Sequence, residues 1–151
     1  MNKTLIKKVI KELRKEPSKA FHFDMSTWVD KDRCGTMCCI AGEAMLLTGK
    51  YRAVGDRFFP ASFNSAKARS ERRRISNLTL SPEQSHCIVA VDKEAAKVLG
   101  LTPEQGMATF LPGNWPTEFQ EMYDAAYENS DERGKRDAGI ARLEHLLATG
   151  E

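Results

Sequence analysis

Three of the chain's four cysteines fall within residues 34–42, in the stretch Cys-Gly-Thr-Met-Cys-Cys-Ile-Ala-Gly. An apolar run follows and closes at Gly49. The spacing predicts a helix that opens at Gly35 and Thr36 and has Gly49 as its C′ residue. A helix N-terminus presents unpaired N–H groups and the positive end of the macrodipole. With a bare backbone at Gly35 and a hydroxyl at Thr36, that end forms an anion-binding corner suited to a phosphate or carboxylate. Cys34, beside the same field, would have its thiolate favoured.

A thiolate in that position needs a base, and a carboxylate to orient the base, to act as a nucleophile. The chain has three histidines, His22, His86 and His145. His145 is the first choice as base, on the last predicted helix beside Glu144. Asp24 or Glu144 would orient it, so the catalytic set reads Cys34, His145 and Asp24. Zinc would need Cys34, Cys38 or Cys39, His86 and Cys87. Cys-x3-Cys with an adjacent His-Cys is not the spacing of common zinc modules, so no metal and no cofactor is expected. Cys38 and Cys39 also suit a buried helix as small hydrophobes, with Cys38, Ala41, Gly42 and Met45 sharing one face. The aromatics suit a core as well. The turn Asn114-Trp115-Pro116, however, would place a large ring over a pocket, where it stacks on a base. The ligand-binding set is therefore Gly35, Thr36, Trp28, Asn114 and Trp115. Phosphate-loop, dinucleotide and metalloprotease signatures are missing, as are those of RNA-binding and helix-turn-helix modules.

The elements that must position these residues are mostly helical. Leu5, Ile6, Val9, Ile10 and Leu13 form one apolar stripe with lysines opposite, which predicts an amphipathic helix over 1–16 before Pro17. Residues 21–28 alternate and read as an extended lead-in to the site segment, 21–49. Residues 50–80 read as loop-rich, with a short helix near 66–75. Ser81-Pro-Glu-Gln and Thr102-Pro-Glu-Gln each offer a hydroxyl N-cap, proline at N1 and a capping-box glutamine. The first opens a helix carrying Ile88, Val91, Ala95, Val98 and Leu99, and the second a shorter one through Met107 and Phe110. Two more helices follow, over about 116–127 and 131–147. The fold class is mainly α: one compact domain over 1–151, five to seven helices, helical throughout 81–150. At most a short two-stranded element is expected, at 21–28.

At 151 residues and 41% hydrophobic composition, the chain can bury a core without staples. Net charge is only +2, which argues against nucleic acid as a partner. The charge is uneven: residues 64–75 hold five Lys or Arg against one Glu, and residues 117–132 are acidic. No apolar run reaches the roughly 18 residues of a membrane span, and the charged first helix lacks a signal peptide's apolar core. The expectation is a cytoplasmic protein with reduced thiols and no membrane partner.

The blocks FDMSTW, CGTMCCIAGEA, LGLTPEQ, FLPGNWP and ARLEHLLATGE resemble, over about 21–150, a family of small uncharacterised proteins found in phages and bacteria. That family carries a Cys-Gly-Thr-x-x-Cys-x-Ala-Gly core, an Asn-Trp-Pro turn and a late Arg-Ile-Asp-His-like helix. The matching positions are Asp24, Met25, Trp28, Cys34, Gly35, Thr36, Ala41, Gly42, Asn114, Trp115, Pro116 and His145, with Cys38 taken as the second cysteine. Glu144 departs from the usual Asp, and the basic tract at 67–74 has no counterpart. The resemblance implies homology and a bacterial host cell, and it brings no activity. Three functions fit the residues. The leading one is binding of a small anionic, nucleotide-like ligand at Cys34-Gly35-Thr36, to sequester or inactivate a host nucleotide signal. The others are a cysteine hydrolase or transferase using Cys34 and His145, and a module that docks on a host protein, with homo-oligomerisation open.

Overall fold

A computed structural model of the chain describes residues 1–15, 21–25, 29–31, 36–54, 56–76 and 91–151. Among them are seven α-helices and five short strands: α1 (Lys3–Leu13), β1 (Phe21–Phe23), β2 (Val29–Lys31), β3 (Thr36–Cys38), α2 (Ile40–Leu47), β4 (Tyr51–Val54), β5 (Arg57–Pro60), α3 (Ser65–Ser76), α4 (Val91–Leu99), α5 (Pro103–Phe110), α6 (Thr117–Glu128) and α7 (Glu132–Thr149). The mainly helical class and the single compact domain are as the sequence implies.

Helix α1 buries the five stripe residues, Leu5, Ile6, Val9, Ile10 and Leu13, and leaves its lysines exposed. Helix α2 is different in kind. Residues Ile40 to Met45 are all buried, the carboxylate-bearing Glu43 among them, so the helix is enclosed on every side. It lies at the centre, against α1, α4, α5 and β4. Helices α6 and α7 pair as an antiparallel hairpin across Asn129–Asp131, and α7 also packs on α1 and β1. Phe23 of β1 sits so close to Gly139 of α7 that a Cβ there would meet the ring at 2.8 Å.

Capping chemistry fixes the helix ends. Thr102 and Gln105 form the reciprocal capping box at the start of α5. Asp131 accepts from the Arg133 N–H at the start of α7, and Gly150 closes that helix in the left-handed region at φ +84°. The corresponding cap at Ser81 lies outside the described residues. The buried guanidinium of Arg142 donates to the Ala108 carbonyl at 3.1 Å and the Glu151 carbonyl at 2.7 Å, tying the chain end to α5. Burial lowers its proton affinity.

Two expectations are corrected. Residues 50–80 are not simply loop-rich, because β4 and β5 pair antiparallel in register Tyr51↔Pro60 to Val54↔Arg57, while α3 falls where the short helix near 66–75 is expected. The hairpin forms because Ala53 and Phe58 share one face and reach the core, while the two strands are joined by only two residues. The extended lead-in at 21–28 contributes β1 to a three-stranded sheet of order β1-β3-β2, parallel between β1 and β3 and antiparallel between β3 and β2.

Candidate functional site

The segment singled out by its cysteines folds otherwise than its glycine and threonine suggest. Thr36 belongs to strand β3, not to a helix start. It pairs with Phe21 on one side and Lys31 on the other. As the middle strand, β3 pairs on both sides, so Thr36 stands in a sheet and not at the helix N-terminus that the anion corner required. The helix begins four residues later, at Ile40. Its N-cap is Cys39, extended at φ −90° and ψ −175°, whose Sγ accepts from the Gly42 N–H at 3.5 Å. Counted along the motif from Cys34, the second cysteine is likewise Cys39 and not Cys38. Cys34, Gly35 and Trp28 lie outside the described residues.

Cys39 is fully buried, and burial pushes its thiol up to about 11, with the Gly42 and Ala41 N–H groups pulling the other way and the Asp24 charge adding to the rise. It packs as a small hydrophobe and is protonated at neutral pH. Asp24 is half-buried and engaged within the chain, and its charge acts on both Cys39 and Tyr123. The next residue, Met25, donates its N–H to the Tyr123 hydroxyl at 3.0 Å. Burial raises the Tyr123 phenol to about 12. Tyr123 in turn meets Trp115 edge-on, with ring centroids 5.7 Å apart. The structure thus gathers Asp24, Cys39, Tyr123 and Trp115 around the start of α2.

That gathering is structural. Trp115 is 5% exposed, and its indole N–H donates to the Thr109 carbonyl at 3.0 Å, so its ring is a core element and not a stacking lid. Asn114 is exposed on the adjoining short 3-10 turn, Pro112–Asn114. His145 is half-exposed on α7, its ring tilted against Phe119 at 5.3 Å. The structure therefore ties Asp24 to the α2 start and His145 to α6. The pairing of His145 with Cys34 falls outside the described residues, as do His86 and Cys87 of the zinc set. Among the described residues no group of three His, Cys, Asp or Glu is placed to hold a metal ion. No helix among them is long and apolar enough to cross a membrane.

The built recess lies elsewhere, between the first turns of α1, the end of α2 and the outer side of α4. It has a volume of about 550 Å³. Leu5, Leu47, Val98 and Tyr51 line it with apolar surface, and Lys8, Lys50 and Lys97 bring three cations. Lys97 lies 3.5 Å from Glu94, which also accepts the Tyr51 hydroxyl at 2.7 Å. Burial, followed by the Glu94 carboxylate, raises the Tyr51 phenol to about 12. Lys8 and Lys50 are exposed and have no carboxylate partner among the described residues.

Backbone and hydroxyl groups complete the recess. Asn2 caps α1 by accepting from the Leu5 N–H, and it donates its own N–H to the Leu99 carbonyl at 2.6 Å and its side-chain amide to the Val98 carbonyl at 3.2 Å, so the start of α1 meets the end of α4. The Thr4 and Thr48 side chains add hydroxyls. Gly49, left-handed at φ +66°, turns the chain out of α2 and delivers Lys50 to the rim. Sequence reasoning missed this site because its lysines come from three separated segments. The one local signal was a lysine directly after the helix-ending Thr48-Gly49.

Comparison with protein-family models, with curated proteins and with solved structures finds no match.

Proposed function

We propose that the protein binds a small anionic ligand of nucleotide type, seated in the recess between α1, α2 and α4. The observation that supports this most is the pair Lys8 and Lys50, two cations without a carboxylate partner among the described residues, on the wall of a cavity of about 550 Å³. Ligand sites typically measure about 300–1,000 Å³ and combine apolar lining with a few convergent polar groups. A phosphate between the two ammonium groups would add charge-assisted hydrogen bonds, with the Thr4 and Thr48 hydroxyls as further donors. The apolar lining of Leu5, Leu47, Val98 and the Tyr51 ring suits the base or sugar of the same molecule.

The ligand class is the one the cysteine block suggested, and its seat is different. What supports a sequestering role toward a host nucleotide signal is the resemblance to phage-borne proteins. Native mass spectrometry of the purified protein tests the binding. The expected result is a copurified or added phosphate-bearing adduct that disappears in the Lys8→Gln/Lys50→Gln double variant. An adduct that survives both substitutions removes the recess from the account.

A further inference from the structure

Among the described residues that line the recess, one is an acid. Glu94 stands in the first turn of α4 and shares the cavity wall with Lys8, Lys50 and Tyr51. Its Oε2 accepts the Tyr51 hydroxyl at 2.7 Å. Its Oε1 faces the Lys97 ammonium at 3.5 Å, a loose contact with a side chain that is 76% exposed. A carboxylate has about four acceptor positions on its two oxygens, so these two partners leave room for more. The Glu94 side chain is itself 30% exposed, so a molecule in the recess can reach it.

The Tyr51 bond fixes where that carboxylate sits. Burial and the Glu94 charge raise the phenol to about 12, so the hydroxyl stays protonated and keeps donating. The carboxylate is thereby held at the hydroxyl end of a ring that lines the cavity. A planar base laid on that ring, offset toward the hydroxyl, would bring its edge to the same carboxylate. An acceptor-only group selects a base by its donors. Guanine presents its ring N1–H and a 2-amino N–H side by side, which matches the two oxygens of a carboxylate as a fork. Adenine sets a bare ring nitrogen beside its one amino group. Uracil and cytosine likewise put an acceptor next to their single donor.

We propose that Glu94 reads the base of the bound nucleotide and selects guanine through its N1–H and 2-amino group, while Lys8 and Lys50 hold the phosphates. This rests on the recess as the ligand's seat and adds which nucleotide enters it. The charge of Glu94 works in the same direction. It repels phosphate from the α4 wall, so the phosphates turn to Lys8 on α1 and to Lys50 beyond the end of α2.

The test is titration calorimetry of the full chain with GDP, IDP and ADP, which share one diphosphate and differ only in the base. IDP lacks the 2-amino donor and should bind about ten-fold more weakly than GDP. ADP turns a lone pair on the carboxylate and should bind about a hundred-fold more weakly. Glu94→Gln keeps an acceptor for Tyr51 and offers the base an amide N–H. It should weaken GDP about ten-fold and leave ADP no weaker, whereas a merely structural Glu94 would lower all three alike. Equal affinity for the three nucleotides in the wild type overturns the guanine selection, and so does an equal loss of all three in Glu94→Gln. In those cases, binding that disappears in Lys8→Gln/Lys50→Gln leaves the recess as the phosphate site. Absence of binding by all three overturns both.

Discussion

The Tyr51 hydroxyl donates to the Glu94 carboxylate at 2.7 Å, joining the start of β4 to α4 across the recess. Glu94 also faces Lys97, so this one carboxylate organises two recess residues, and Lys8 and Lys50 have no carboxylate partner among the described residues. Tyr51→Phe removes the bond while keeping the ring. Because the pair is partly exposed, the expected loss is about 1 kcal/mol, read from urea denaturation. An unchanged midpoint would mean that the bond does not hold the two elements together.

Alkaline pH should destabilise the fold. Cys39 rises from an ordinary 9.0 to about 11 on burial, and Tyr51 and Tyr123 rise from 10.0 to about 12. Folding favours the protonated form of each. Their contribution is therefore complete below pH 9 and is lost as pH climbs through 9–11 for the thiol and 10–12 for the phenols. Urea midpoints at pH 8 and pH 11 check this, with the lower one expected at pH 11. Cys39→Ala should flatten the early part of the decline. A midpoint independent of pH would contradict the burial of these groups.

Gly139→Ala should destabilise the protein although alanine is the better helix former. The added Cβ would meet the Phe23 ring at 2.8 Å, and that ring is buried. Overpacking costs about 1–3 kcal/mol, against a helix-propensity gain of about 1 kcal/mol. Thermal unfolding of the variant should show a net loss, and a stabilised variant would show that β1 does not press on α7.

Trp115→Phe separates a core role from a ligand role. The Thr109 carbonyl would lose its indole donor inside the protein, at a cost of about 1–3 kcal/mol. Denaturation should report that loss, while ligand affinity at the recess stays at the wild-type level. A variant of normal stability and weakened affinity would return Trp115 to the binding site.

Local chemistry made most helices legible. The α1 stripe, the Thr102–Gln105 box, and the Asp131 and Gly150 caps are each contained within a few consecutive residues. The β4–β5 hairpin was not legible, because within a stretch that reads as loop-rich only the joint burial of Ala53 and Phe58 makes the two runs a pair. Nor was strand β3. Its three residues carry no periodicity, and only pairing with Phe21–Phe23 and Val29–Lys31 makes them a strand. The glycine before Thr36 imitated a helix start, whereas the cap is the thiol of Cys39. Asn64 and Phe63 likewise acquire meaning only once α3 docks on the hairpin.

The central claim is that anions bind between Lys8 and Lys50 and not at Thr36. Titration calorimetry with a nucleotide panel including cyclic dinucleotides and ADP-ribose derivatives tests it directly, on the wild type, Lys50→Gln and Thr36→Val. The Lys50 charge contacting a phosphate is worth about 1.4 kcal/mol, or ten-fold in affinity. The account predicts a ligand whose binding weakens about ten-fold in Lys50→Gln and is unchanged in Thr36→Val. Binding that is lost in Thr36→Val and intact in Lys50→Gln would contradict it.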